Sequence, residues 1–277
     1  MKQSFADILY TKNHSFCTDV PSMIDTHQFV DDILVLLFPI KGNRILNKRE
    51  IEIRLDRMKL RLKELLIPLE KIISDSPENI SNEFFKQLPG VYNSLLEDAD
   101  EFMKSDPAAK CVEEVILCYP GYSCIVVHRL AHVLYLLGVP VLPRVMSEYL
   151  HGLTGIDIHP GARIGRNFFI DHGTGIVIGE TAEVGNNVKI YQGVTLGALY
   201  VEKKLSDTKR HPTIEDNVII YSGTTILGGS TVIGHDTIIG GNVWLTESVI
   251  PNSVVYRQHK VIIRDNKSFN EPINFTI

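Results

Sequence analysis

In NKREIEIRLDRMKLRLKELLIPLEKII the residues Ile51, Leu55, Met58, Leu62, Leu65, Leu66 and Leu69 recur at spacings of three and four, with Arg, Lys and Glu between them. This is one apolar stripe on a helix, and it needs a partner to cover it. Similar spacing runs through EFFKQLPGVYNSLLEDADEFMK, with Pro89-Gly90 as a break, and through CIVVHRLAHVLYLLG, stopped by Gly138 and Pro140. The amino-terminal half, residues 1–150, therefore reads as a bundle of roughly five or six helices. The pattern changes near residue 150. In the second half aliphatic residues recur every six positions rather than every 3.6: Ile158, Ile164, Ile170 and Ile176; Ile178, Val184, Ile190 and Leu196; Ile214, Ile220 and Ile226; Ile233, Ile239 and Leu245. Gly165, Gly179, Gly185, Gly197, Gly234 and Gly240 each follow a member of the series. A period of six with β-branched residues and Gly makes each unit a short strand and a turn, with the aliphatic side chain inward. Three such units close a triangular coil, so residues 151–258 read as a parallel β-helix and the chain as α+β.

Such a prism buries its own ladder but leaves flat outer faces, so a homotrimer is expected. Two interruptions break the series. One is a two-residue slip between Ile170 and Ile178, in IDHGTGIVIGET; the other is the polar segment 198–213, ALYVEKKLSDTKRHPT, which cannot follow the repeat and reads as an ejected loop. Binding groups concentrate on loops held by a rigid scaffold.

Composition narrows the function classes. With 28 Lys and Arg against 33 Asp and Glu, the formal charge is −5 and no basic block is present, so nucleic acid is not an expected partner. The longest apolar runs, such as Ile33 to Ile40, fall well short of the roughly 20 residues that span a bilayer, and MKQSFADILYTK lacks a signal-peptide core. A cytoplasmic protein without a membrane anchor is expected. Cys17, Cys111, Cys118 and Cys124 form no CxxC pair, so neither a disulfide framework nor a structural zinc site is indicated and inert thiols are expected.

His172 stands at the first interruption, between Asp171 and Gly173, where a backbone leaving the repeat can aim an imidazole outward. An imidazole near its usual pKa can take a proton from a hydroxyl at neutral pH, and a carboxylate on its other nitrogen would stabilise the imidazolium. Asp157, in DIHP, lies 15 residues earlier, against about 18 for one coil, a spacing that permits contact. Arg210 and His211 sit in the ejected loop. His159 reads as a local structural hydrogen-bonding group, and His128 with His132, four apart on a helix, as core packing.

The string DIHPGARIGRNFFIDHGTGIVIGETAEVGNNVKIYQGVTLGA, followed by KRHPTI and further hexads, closely resembles the serine acetyltransferase family over roughly residues 105–245. Hexads alone would indicate only an acyltransferase superfamily; DIHP, DHGTGIVIGET and RHP in this order point to the serine enzymes. The resemblance implies a left-handed β-helix behind a helical domain. It implies acetyl-CoA as co-substrate, L-serine as acceptor, and no metal. His172 would be the base on the serine hydroxyl and Asp157 its partner, with direct transfer and no acyl-enzyme. Asp106, in SDPAAK, and Asp171 would receive the amino group, and Arg210 and His211 the carboxylate. Gly197, Ala198, Ser222 and Gly241 would line the pantetheine arm, in an active site between subunits of a trimer or a dimer of trimers. Residues 259–277 would form a flexible tail, with Ile277 and Asn274 entering O-acetylserine sulfhydrylase, and L-cysteine would compete in the serine site.

The sequence departs from the family at Ala198, where a Gly is usual, and in a longer loop carrying Glu202, Lys203, Lys204 and Asp207. It also has Ile238 where some relatives have Lys, and PNSVVYRQHKV where an AGVPA-type segment is usual. Three alternatives remain at this stage. One is a hexapeptide acetyltransferase for a sugar or xenobiotic hydroxyl. Another is a metal-dependent hydratase using His159, His172 and His211. The third is a non-catalytic regulator of the sulfhydrylase.

Overall fold

The computed structural model describes residues 3–16, 19–42, 44–200 and 208–258. Among these, seven α-helices precede the strands: α1 (Phe5–Asn13), α2 (Met23–Leu37), α3 (Lys48–Leu66), α4 (Pro77–Ser105), α5 (Val112–Cys118), α6 (Pro120–Leu136) and α7 (Leu142–Thr154). The α3 stripe is covered from its middle onward: Met58, Leu62, Leu65 and Leu66 are buried, and Leu69 is buried just beyond, in a short 3-10 turn, whereas Leu55 is half-buried and Ile51, in the first turn, is exposed. Asn47 and Glu50 close a capping box at its start.

The expected break at Pro89-Gly90 does not occur, and α4 runs through both. Pro89 and Gly90 lie on the exposed side, where water can satisfy the carbonyl that proline leaves unpaired. Ile80, Phe84, Leu88, Leu95, Ala99 and Phe102 hold the buried side on both sides of the proline. Packing outweighs the local breaker here. The stop after α6 is as the sequence implies, with Gly138 at φ +74°.

Fourteen short strands among the described residues then wind about five turns of a left-handed parallel β-helix. One face carries β1 (Asp157–Ile158), β4 (Val177–Ile178), β7 (Thr195–Gly197), β10 (Thr225–Leu227) and β13 (Trp244–Leu245). The second carries β2 (Arg163–Ile164), β5 (Glu183–Val184), β8 (Thr213–Ile214) and β11 (Val232–Ile233). The third carries β3 (Phe169–Asp171), β6 (Lys189–Tyr191), β9 (Ile219–Ile220), β12 (Ile238–Ile239) and β14 (Val254–Val255). The aliphatic series stacks in register: Ile178 pairs with Ile158 and Leu196, and Ile190 with Ile170 and Ile220. Nearly all of these side chains are buried, each contributing about 1.5–3 kcal/mol of transfer free energy.

At one corner Asn167, Asn187, Asn217 and Asp236 adopt positive φ, which short polar side chains tolerate, and their side chains bond to one another in a ladder at 2.8–3.0 Å. At the corner leading into the first face the same role falls to Gly155, Gly175, Gly193, Gly223 and Asn242.

Helices and prism share one core. Arg129 of α6 donates to the buried Asp98 of α4 at 2.6 and 2.9 Å and to the carbonyls of Ile164 and Gly165, while Asp98 also accepts from the Phe168 amide. A Cβ at Gly121 would fall 2.8 Å from Ile170, so α6 needs glycine where it lies on β3. No helix among the described residues is long and apolar enough to cross a membrane. Cys111 and Cys118 are exposed, and Cys124 is buried with its Sγ 3.1 Å from Thr154 Oγ1; Cys17 lies outside the described residues.

Candidate active site

The first interruption is an insertion of two residues at a corner. Asp171 pairs with Tyr191, and the Gly193 amide then bonds to the Thr174 carbonyl at 3.0 Å, so His172 and Gly173 have no counterpart in the next coil. The first coil is twenty residues long as a result, Asp157 pairing with Val177, whereas Val177 pairs with Thr195 eighteen residues on. His172 takes φ +55° and Gly173 +92°. A Cβ at Gly173 would lie 2.4 Å from Ile156, so that position requires glycine. Apart from glycines, His172 is the one non-Asx residue of the β-helix among the described positive-φ residues, and its side chain is 73% exposed. Backbone strain of this kind persists where surrounding structure enforces it. The bulge turns the imidazole out of the prism.

Around His172 gathers the first group. Asp171 Oδ1 is 3.8 Å from His172 Nε2. Asp106, at the end of α4, accepts from the Tyr119 hydroxyl at 2.6 Å and from the Ala108 amide at 2.8 Å. These two bonds, with His172 nearby, hold the Asp106 carboxyl below its usual range, while the same carboxylate raises Tyr119 to about 12. Tyr191, stacked on Tyr221 with centroids 4.9 Å apart, adjoins this group and is pushed upward by burial, by Tyr221 and by Asp171 and Asp106.

The second group lies at the other end of β4, where Gly179-Glu180-Thr181 meets the returning loop. Thr181 Oγ1 accepts from the amides of Arg210 at 2.9 Å and His211 at 3.1 Å. His211 Nδ1 accepts from the Thr181 amide at 3.1 Å and lies 2.9 Å from Thr181 Oγ1. The imidazole covers Gly179 so closely that a Cβ there would lie 2.0 Å from its ring. Glu180 pairs with Arg210 and accepts from Tyr135 at 3.1 Å. Burial opposes ionisation of Glu180, but Arg210, the nearby His159 and Tyr135 outweigh it and lower its pKa. Burial, then the Arg210 charge, lowers His211 to about 4. His211 is therefore neutral near pH 7, with Nδ1 an acceptor from the Thr181 amide and the proton on Nε2.

The candidates are thus divided between two corners of one face. His172, Asp171 and Asp106 come together at one, and Arg210 and His211 at the other. Asp157, at the start of β1, lies beside Glu148 and His151 of α7, polar atoms of the three being within 4.8 Å of one another, and among the described residues no hydrogen bond joins it to His172. That trio is a donor set with the spacing of a cation site. The three imidazoles His159, His172 and His211 are split between the corners.

Ser222 and Gly241 adjoin at the His172 corner, where a Cβ on Gly241 would lie 3.2 Å from the Ser222 carbonyl. Gly197 and Ala198 lie on the coil after Gly179, whose amide bonds to the Leu196 carbonyl at 3.1 Å. A Cβ at Gly197 would lie 2.8 Å from a terminal methyl of the half-buried Leu227, which would have to shift. His159 accepts from the Gly161 amide at 3.0 Å, the local structural bond its sequence context implies. His128 is fully buried with His132 stacked on it, and His132 bonds to the Pro160 carbonyl at 2.7 Å. Residues 201–207, with Glu202, Lys203, Lys204 and Asp207, and the tail with Asn274 and Ile277 lie outside the described residues.

Sequence reasoning missed Tyr119, Tyr191 and the latch formed by Glu180 and Thr181. The strings GET and RHP carry the latch, but nothing in their spacing says that one seats the other.

A left-handed prism of hexads with an exposed imidazole on a two-residue bulge defines the hexapeptide-repeat transferase class. No family model matches the sequence. Two curated relatives, both serine acetyltransferases, come from Synechococcus elongatus, a plasmid-borne protein 48% identical over 66% of this chain and 59% of its own length, and from Bacillus licheniformis, 45% identical over 66% of this chain and 83% of its own. The chain thus spans less than two thirds of the Synechococcus protein. The crystal structure of Entamoeba histolytica serine acetyltransferase 1 in complex with L-cysteine matches with a TM-score of 0.74 and 35% identity, over 82% of this chain and 86% of that one. The chain belongs to the serine acetyltransferase family.

Proposed function

We propose that the protein transfers the acetyl group of acetyl-CoA to the hydroxyl of L-serine. The observation that carries this reading is the placement of anionic acceptors at one corner and of cationic and neutral donors, with Arg210 oriented by Glu180, at the other. Carboxylates of Asp106 and Asp171 flank His172 at one, and the Arg210 guanidinium with a neutral, donating His211 stands at the other. An α-amino acid zwitterion needs both signs of charge, and a sugar hydroxyl needs neither. The ammonium meets Asp106 and Asp171, and the carboxylate meets Arg210 and His211. His172 takes the proton from serine Oγ as it attacks the thioester carbon. The tetrahedral intermediate expels the CoA thiolate, which recovers that proton from the imidazolium. Asp157 supports the imidazolium once the substrates are bound. No acyl-enzyme and no metal enter these steps.

Because one chain holds the two half-sites at opposite corners of a face, three prisms side by side bring the His172 corner of one subunit against the Arg210 corner of the next. Ser222 and Gly241 of the first corner, with Gly197 and Ala198 of the second, border the groove left for pantetheine. Residues 1–150 act as the assembly domain, 151–258 as the transferase domain and 259–277 as the tail. L-cysteine, present in the Entamoeba histolytica relative, carries the same ammonium and carboxylate and competes with serine; saturating serine should relieve its inhibition. The tail is read as a ligand of O-acetylserine sulfhydrylase through Asn274 and Ile277, and deleting residues 275–277 should abolish co-elution while sparing acetyl transfer.

The half-site arrangement is tested by mixing subunits. Variants His172→Ala and Arg210→Ala, each inactive alone, should regain activity when unfolded and refolded together, with O-acetylserine identified by mass spectrometry. Absence of any recovery in mixed oligomers would contradict a site shared between subunits.

A further inference from the structure

Tyr119 has no role in the steps proposed above, yet it makes the shortest bond that Asp106 receives, 2.6 Å from its hydroxyl to Oδ2. We propose that Tyr119 is a positioning residue for the amino-acid acceptor, its hydroxyl fixing the Asp106 carboxylate in the orientation that receives the ammonium group. The inference rests on the serine reading of the site.

Asp106 needs such support. It caps the carboxyl end of α4, where the helix dipole disfavours an anion, and it precedes Pro107. Ala108 N–H takes Oδ1 and Tyr119 O–H takes Oδ2, so each oxygen keeps one lone-pair direction for a ligand and the carboxylate cannot rotate without breaking both bonds. The neighbouring charged groups are Asp171 and His172 from the end of β3 and Glu114 of α5, with the Tyr191 hydroxyl from β6. In this anionic setting Tyr119 remains a protonated donor across the neutral range.

The ring is itself placed by packing. Tyr119 meets the edge of Phe102 at 6.1 Å, and Phe102 meets Phe169 of β3 at 4.9 Å. Phe169 is two residues before Asp171 on the same strand. The row Tyr119–Phe102–Phe169 therefore sets Asp106, on the helical side, against Asp171 and His172 on the prism. The two carboxylates that share one ammonium are held at a distance fixed by aromatic contacts.

The test is steady-state kinetics on the full chain for wild type, Tyr119→Phe, Asp106→Asn and the double variant, with thermal unfolding as a control. Tyr119→Phe keeps the ring and its contacts. It should raise the KM for serine by about five- to twentyfold, with kcat and the KM for acetyl-CoA within about twofold. In the Asp106→Asn background the same change should alter the serine KM by less than about twofold, because the group it orients is gone. An unchanged serine KM in Tyr119→Phe, or an equal rise in both backgrounds, would overturn the proposal and assign Tyr119 to packing alone. Wild type that leaves serine unacetylated would overturn the serine reading and this inference with it, an outcome separated from the others by the wild-type arm.

Discussion

The latch between Thr181 and the RHP segment gives the sharpest test of how the loop is held. Thr181→Val preserves the shape of the side chain and removes a hydroxyl that accepts from two backbone amides, Arg210 at 2.9 Å and His211 at 3.1 Å, and lies 2.9 Å from His211 Nδ1. A donor left unsatisfied in a half-buried place costs about 1–3 kcal/mol, and two of them, partly relieved by entering water, about 2–3 kcal/mol. At about 1.4 kcal/mol per decade this is roughly a thirtyfold or greater fall in the equilibrium constant for seating the loop. Arg210 and His211 would then be ordered only at the expense of serine binding. The serine KM should rise about ten- to thirtyfold, with the KM for acetyl-CoA changed less than about threefold. Hydrogen exchange at the amides of Arg210 and His211 should accelerate by a similar factor, while amides of the inner ladder such as Ile190 stay protected. If both the serine KM and exchange at 210–211 stay within twofold of wild type, Thr181 does not hold the loop and the reasoning fails.

Further outcomes follow from the same geometry. Gly179→Ala places a methyl within the volume of the His211 ring, and serine-dependent turnover should fall at least about tenfold, with far-ultraviolet circular dichroism unchanged. Arg129→Met leaves Asp98 buried without its guanidinium, which should lower stability by about 3–5 kcal/mol, read from urea unfolding; a loss below about 1 kcal/mol would show that Asp98 is compensated otherwise. His211 has a folded pKa of about 4, below its ordinary value of 6.5, so as pH falls through that window the unfolded chain binds the proton first and stability declines. Fully buried His128 acts in the same direction. The fall in Tm between pH 6.5 and 4.5 should be shallower in His211→Gln, and an unchanged slope would contradict the assignment.

The prism was legible because its signal is long-range order in residue type. The aliphatic series and the glycines that follow it recur over five turns, and Ile158, Ile178, Leu196 and Ile226 align in register. The slip that carries His172 was legible for the same reason, as an error in an otherwise regular count. Pro89 misled because a local breaker says nothing about which side of a helix it faces. The division of the site was implied by the family resemblance, which places it between subunits, but the hexad count by itself does not give it. Asp157, His172 and Arg210 are near one another in motif order, yet their corners depend on coil lengths of twenty, eighteen and thirty residues; the slip at His172 and the polar segment 198–213 mark where the count departs from eighteen, but not which corner each side chain reaches. Tyr119 carried no signal, since a tyrosine before a helix-starting proline is unremarkable until the fold brings it to Asp106.

The central claim is that His172 drives acetyl transfer to serine. Its most direct test is release of free CoA thiol from acetyl-CoA by wild type and His172→Ala, with L-serine, homoserine, a β-galactoside or no acceptor. Serine-dependent release by wild type that falls by about 10² or more in His172→Ala, whose circular dichroism is unchanged, is the expected result. Release that depends on another acceptor, or that survives loss of the imidazole, would contradict the account.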